Sequence, residues 1–195
     1  MEDALTQTGD PLDSFVVPRT RVLRVCLDLN VYCANLLGLR KGHRDTAAQE
    51  LVNAVRQGAS ALGPVQLIVS WGMLDRLRNV LLNGLDVPRA EADDYLGVIA
   101  GFAALGPGSE PPHLTLGGTG LLTLRDTEDA HVLEVAVAGR ADLLVTSNFK
   151  DFVDHQTDVR VPDRVAVHSA PHHSVVIVHT FTAAKWLREG LANIP

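Results

Sequence analysis

The run Arg21-Val22-Leu23-Arg24-Val25-Cys26-Leu27-Asp28-Leu29-Asn30-Val31-Tyr32 constrains this chain most. Its first half is rich in β-branched and aliphatic residues, as a buried strand requires, and it closes on a carboxylate. Residues Val31 to Leu39 follow at once with a helix-compatible pattern. A strand that hands an acid directly to a helix is a unit of an open α/β sheet. Such sheets place their sites at the carboxyl edge.

The same alternation continues along the chain. A helix over about 30–38 stops near Gly38, and the basic loop Arg40-Lys41-Gly42-His43-Arg44 follows. Thr46 and Gln49 form a capping-box pattern that opens a helix over about 46–62, and Pro64 breaks it. Val65–Val69 reads as a second buried strand. Ser70 is suited to cap a helix over about 71–83, and Asp86 with Pro88 opens another that reaches about 105. Residues 107–120 read as loop, with one short strand possible around 113–116. A helix over about 130–139 precedes a third strand, Asp142–Thr146. Strands over about 164–168 and 174–180 follow, joined by Pro171-His172-His173, a link short enough for an antiparallel edge hairpin. A last helix covers about 182–191. Strands alternating with helices favour a mainly parallel sheet covered on both faces.

Length and composition set the outer bounds. A chain of 195 residues suits one domain, here 21–195. It buries about 70 % of its unfolded surface without needing a staple. Residues 1–20 are polar and read as a flexible N-terminal arm. The acidic start Met1-Glu2-Asp3 does not suit a signal peptide, and no run of about 18 apolar residues suggests a membrane span. Cys26 and Cys33 read as buried apolar residues rather than a disulfide framework. The expected setting is therefore cytoplasmic. The formal charge of −6 argues against a broad basic nucleic-acid surface. It leaves room for a nuclease, whose acidic pocket itself adds negative charge.

Four carboxylates fall where regular structure begins or ends: Asp28, Asp75, Asp129 and Asp151. A parallel sheet lines strand ends and the following helix starts along one edge, so residues distant in sequence can converge there. Acids that converge repel one another unless a cation joins them. Oxygen ligands suit Mg²⁺ or Mn²⁺, which can acidify a bound water and clamp a phosphoryl oxygen. The chemistry this serves is phosphodiester hydrolysis. Each acid taken alone is more often a helix cap, so the joint placement carries the expectation.

Four blocks then resemble the PIN domain family: Leu27-Asp28-Leu29-Asn30-Val31; Val69-Ser70-Trp71-Gly72-Met73-Leu74-Asp75; Asp129-Ala130-His131-Val132-Leu133-Glu134; and Asp142-Leu143-Leu144-Val145-Thr146-Ser147-Asn148-Phe149-Lys150-Asp151-Phe152. The resemblance implies a three-layer α/β/α fold with a mainly parallel central sheet and an Mg²⁺- or Mn²⁺-dependent ribonuclease site acting on RNA. It puts the family's acids on Asp28, Asp75 (where Glu is common), Asp129, and either Asn148 or Asp151. The Asn-x-x-Asp-Phe pattern favours Asp151. Asn30, Ser70, Thr146 and Asn148 would support them. Many similar proteins are toxins of toxin–antitoxin pairs, which implies a small antitoxin partner, and homodimers occur. The competing expectation is a PIN-like module with degraded chemistry that acts through protein or RNA binding.

The remaining features are weaker. Asp126 and Glu128 flank Asp129 in what reads as a solvated acidic loop, and His131 reads as a packed or hydrogen-bonded histidine. His168, His172, His173 and His179 lack zinc-ligand spacing. Gly117-Gly118-Thr119-Gly120 has no Lys-Ser/Thr after it and reads as a turn rather than a phosphate loop. Arg40, Lys41, Arg44, Arg76 and Arg78 are candidate contacts for RNA phosphates. A haloacid-dehalogenase-like phosphatase would need Asp where Asn30 stands. A phospho-receiver would need an acidic pair upstream and a late Lys-Pro. Neither fits.

Overall fold

The computed structural model describes residues 21–114, 127–153 and 157–190. The arm expected over 1–20, the Gly117–Gly120 turn, Asp126 and the side chain of Glu128 lie outside the described residues. Among the described residues seven strands form one sheet in the order β2-β3-β1-β4-β7-β6-β5. They are β1 (Leu23–Leu27), β2 (Ala59–Ser60), β3 (Gly63–Ile68), β4 (Leu143–Thr146), β5 (Thr157–Val161), β6 (Val165–Ala170) and β7 (His173–His179). The helices are α1 (Leu29–Arg40), α2 (Ala47–Gln57), α3 (Trp71–Asn79), α4 (Arg89–Ala104), α5 (Thr127–Ala138) and α6 (Thr180–Glu189).

The four central strands, β3, β1, β4 and β7, run parallel. β1 and β4 are buried on both faces apart from Arg24, as the continuous apolar runs Val25–Leu27 and Leu143–Val145 require. The edges are antiparallel: β2 against β3 on one side, β7-β6-β5 on the other. The expected hairpin across Pro171-His172 is the β6–β7 pair, with Ala170 opposite His173.

Topology locates the working edge. From β1 the chain crosses by α1 and α2 to β3. From β3 it crosses back past β1, ending through α5, to β4. The two crossovers run in opposite lateral directions, so right-handed connections put α1–α2 and α5 on opposite faces. This gives the expected α/β/α layering. From β4 the chain leaves away from β1, towards β5. The connections of β1 and β4 therefore diverge, and a crevice opens between their carboxyl ends.

Local chemistry explains most element boundaries. The capping box at the start of α2 is present, with Gln49 N donating to Thr46 Oγ1 at 3.3 Å and Thr46 N donating to Gln49 Oε1 at 3.0 Å. The helix expected to reach 62 instead stops at Gln57. Gly58 takes a left-handed conformation (φ 63°), and the chain turns there into the short β2–β3 hairpin. Pro64 lies inside β3 rather than before it, on the edge side opposite Ala59. Ser70 caps α3 by accepting from Met73 N at 3.1 Å. That helix ends at Asn79 and widens into a π turn over Val80–Gly84.

Three features were not foreseen: the two-residue strand β2, the exposed edge strand β5 and a 3₁₀ turn over Phe149–Phe152. Within the possible strand at 113–116, His113 forms a single bridge to Ser70 and Leu114 is exposed; 115 and 116 lie outside the described residues. Gly139, after α5, passes so close to β3 that a Cβ there would meet Ile68 Cγ2 at 2.3 Å. Cys26 and Cys33 are free thiols, the first buried and the second half-buried.

Candidate active site

The crevice between β1 and β4 opens beside Asp28. Its backbone N–H still belongs to the sheet, donating to Val145 O at 2.9 Å. Its side chain already belongs to α1, accepting from Leu29 N at 2.6 Å as the N-cap. The acid thus stands at the strand-to-helix junction and is 4 % exposed.

Its second oxygen meets the end of β4. Thr146 Oγ1 donates to Asp28 Oδ2 at 2.7 Å, and Asn30 Nδ2 donates to the same oxygen at 2.5 Å. Asn30 also reaches Thr146 Oγ1 (3.1 Å) and accepts from Ser147 N through its own oxygen (3.2 Å). Asn148 N donates to Thr146 Oγ1 at 2.9 Å. Asn30 and Thr146 therefore tie the two strand ends together around one carboxylate. All three donors to Asp28 are neutral. One of its roughly four acceptor positions stays open.

Electrostatics follow from that environment. Burial pushes the Asp28 pKa up to about 6, and the negative charge of Asp151 adds to the shift. The three hydrogen bonds oppose it but do not cancel it. Asp151 is the third residue of the 3₁₀ turn after β4 and is exposed. Asn148 lends its backbone N–H to Thr146, and its side chain makes no capping bond to the turn.

The other two acids reach the same edge by helices. The chain leaves α5 through Gly139 and Arg140 and enters β4 beside Asp142, whose N–H donates to Arg24 O at the start of β1. The C-terminus of α5 is therefore at the amino edge of the sheet, and its first turn, carrying the half-buried Asp129, stands at the carboxyl edge. His131, one turn further, packs against the start of α3: a Cβ on Gly72 would lie 3.0 Å from its Nε2. His131 is packed as expected, yet neither ring nitrogen has a hydrogen-bond partner among the described residues. Burial and the nearby Arg76 hold its pKa down. Asp75 is exposed on α3, and its charge bears on Arg78. Ser70 spends its hydroxyl on the α3 cap.

The arginines separate by place. Arg40 lies at the far end of α1, a 12-residue helix about 18 Å long, with Lys41 and Arg44 just beyond it. Arg40 faces Glu91 at 3.7 Å and Arg78 pairs with Asp93 at 2.6 Å. Arg76 sits beside His131 at the working edge, and its Nη1 is buried without a hydrogen-bond partner among the described residues.

A cleft of about 570 Å³ continues from Asp151. Ser147, Asn148, Phe149, Lys150, Asp163, Arg164, His179 and Phe181 complete its lining. Sequence reading weighed His179 only as a zinc ligand and passed over Arg164 and Phe181. The missed signal was positional: β7 runs parallel to β4, so His179 opposite Thr146 must end at the same edge.

Among the described residues no group of three His, Cys, Asp or Glu side chains is arranged to hold a metal ion. The donor chemistry nevertheless fits a hard divalent cation. Asp28 is a desolvated carboxylate with neutral partners and an open acceptor position, and a second acid is close enough to repel it. A cation would relieve both penalties.

A model of the PIN domain matches residues 24–150. The chain belongs to the PIN domain family. That span runs from β1 through the turn after β4, so it contains Asp28, Asp75, Asp129, Thr146 and Asn148 and ends one residue before Asp151. No match was found among curated proteins or among solved structures. PIN domains are generally nucleases that bind RNA and typically use divalent ions, which gives this PIN domain its activity class. No helix among the described residues is long and apolar enough to cross a membrane.

Proposed function

We propose that this PIN domain is a divalent-cation-dependent endoribonuclease, and that Asp28 is the centre of its site. One observation carries the reading. A buried carboxylate stands at the sheet's crevice, oriented by Asn30, Thr146 and Leu29 N, yet has no cationic partner among the described residues. Fixing an acid this way while leaving its charge uncompensated has no use in stability, but it suits a ligand for Mg²⁺ or Mn²⁺.

Asp28 and Asp151 would hold the ion, with Asp129 from the first turn of α5. Asp75 is the outermost acid. Between the two candidates for the fourth position, Asp151 is favoured because its charge reaches Asp28. When bound, the ion supplies positive charge to the scissile phosphate and lowers the pKa of a water. The protein's own part is orientation. Thr146 and Asn30 hold both strand ends at one carboxylate, so the site needs little rearrangement to accept its ligand. Asp28→Asn and Asp129→Asn, purified and tested on RNA with Mn²⁺, check the reading. Cleavage undiminished in both variants ends it.

The exposed Asp75 and the amide at Asn148 favour a second reading, a PIN-like module that works through binding alone. Mn²⁺ titration separates the two. A thermal shift abolished by Asp28→Asn supports the nuclease, and no shift in the parent supports the module. A toxin role, with a small antitoxin as partner, is the setting we propose for the nuclease.

A further inference from the structure

We infer that the cleft beside Asp151 is a subsite for one nucleotide of single-stranded RNA, with the base on Phe181 and the phosphate at Arg164 and Lys150. The inference rests on the ribonuclease reading and adds to it where a neighbouring nucleotide sits and which residues recognise it.

Among the described residues Phe181 takes no part in the buried core. α6 is anchored by Ala183, Ala184, Trp186 and Leu187, all buried, whereas Phe181 in its first turn is 66 % exposed. The ring is nevertheless held. His179 stacks on it, with centroids 5.5 Å apart and planes 26° from parallel. Phe181 N donates to His179 Nδ1 at 3.4 Å, so that nitrogen carries no proton. Burial and the neighbouring Arg164 lower the His179 pKa, which keeps the backing ring neutral. The result is a fixed aromatic face open to solvent, the surface on which an unpaired base stacks.

The charges of the cleft are mixed but unequal in freedom. Arg164 has no carboxylate partner among the described residues. Its backbone is fixed at both ends, its N–H donating to Val161 O at 3.0 Å and its carbonyl accepting from His179 N at 2.9 Å. Lys150 faces Asp163 across 3.8 Å, with both side chains exposed, so the lysine can turn to a phosphate at little cost. Asp151 is the remaining acid, and it faces the candidate ion site. The wall is shared: Ser147 N and Asn148 N, at the cleft's rim, bond to Asn30 and Thr146, the residues that hold Asp28. A strand whose scissile phosphate meets the ion at Asp28 would thus pass a neighbouring nucleotide into this cleft, beside that wall. A base inside a duplex cannot offer its face there.

The test uses the full chain carrying Asp28→Asn, in EDTA, with a fluorescein-labelled heptauridine read by anisotropy. Adding Phe181→Ala should weaken binding about 5–30-fold, the range expected for losing one base stack. Phe181→Tyr should stay within about twofold of the parent, since stacking needs only the ring. Arg164→Gln should weaken binding and reduce its salt dependence. Thermal melts of each variant confirm that it is folded; if Phe181→Ala is not, Phe181→Leu, which keeps an apolar side chain without the ring, replaces it, and unchanged affinity there overturns the inference. Unchanged affinity in Phe181→Ala, an equal loss on a blunt RNA duplex, or no binding of heptauridine by the parent overturns the inference. In those cases the exposed face is left as a protein-docking surface. The ribonuclease reading fails on a different result, undiminished cleavage by Asp28→Asn with Mn²⁺.

Discussion

The two ends of β1 treat charge in opposite ways. At the amino edge, Arg24 meets Glu110 through both guanidinium nitrogens, at 2.7 Å for the Nη2–Oε2 contact, and donates from Nη2 to Gly139 O at 2.6 Å. Asp142 accepts from Arg24 N and from Arg21, each at 2.9 Å. The Arg24 hydrogen bonds hold the Glu110 carboxyl below its usual range. At the carboxyl edge, Asp28 meets, among the described residues, only neutral donors and a second acid, and its pKa rises. Acids paired with arginine close a structure. An acid buried without a cation destabilises the fold unless a ligand compensates its charge.

The largest expected effect breaks this contrast at the carboxyl edge. Asp28→Asn should lower RNA cleavage by about 10²–10³-fold while the protein stays folded, a loss on the scale of removing one preorganised electrostatic group. Gel assays with Mn²⁺ and a thermal melt check both halves. At the amino edge the opposite is expected. Arg24→Ala should destabilise the fold by about 2–3 kcal/mol, since it removes charge-assisted bonds from partly buried partners. Cleavage per folded molecule, measured well below the melting temperature, should not change.

A smaller effect tests the sign of the Asp28 shift. The folded state holds this proton up to about pH 6, whereas the free carboxyl releases it near 3.8. The unfolded chain therefore loses its proton first, and the group's contribution to stability falls as pH rises from about 4 to 6. Asp28→Asn removes that cost but also the Asn30 bond. Without divalent ions it should stabilise the protein at pH 8 by about 1–2 kcal/mol and give no gain at pH 4. Denaturant melts at the two pH values check this; an equal effect at both contradicts it. The smallest expected change is Asp75→Ala, within about 0.5 kcal/mol in stability, because the residue is exposed. A large loss of cleavage there would draw Asp75 into the site despite its exposure.

Much of the fold was legible because burial on both faces leaves a continuous signature. β1, β3 and β4 read directly as apolar runs, and Thr46, Ser70 and Pro88 marked helix starts by their capping chemistry. The misses have a common cause. β2 has two residues and β5 alternates exposed charges, so neither carries an apolar pattern, and both exist only through pairing at a sheet edge. Gly58 ended α2 early because the left-handed turn it permits leads into the β2–β3 pair.

From the candidate site, the chain alone determined that Asp28 closes a buried strand and opens a helix, since both signals lie within a few neighbouring residues. Tertiary structure decided who its neighbours are. Thr146 and Asp151 lie more than a hundred residues away and reach Asp28 only because β4 pairs beside β1 where their connections diverge. The Phe181 face arises in the same way, because β7 pairs beside β4 and ends at the same edge. Local pattern records what each residue prefers to bury. It does not record which strand lies alongside, because register is settled by packing the whole sheet at once.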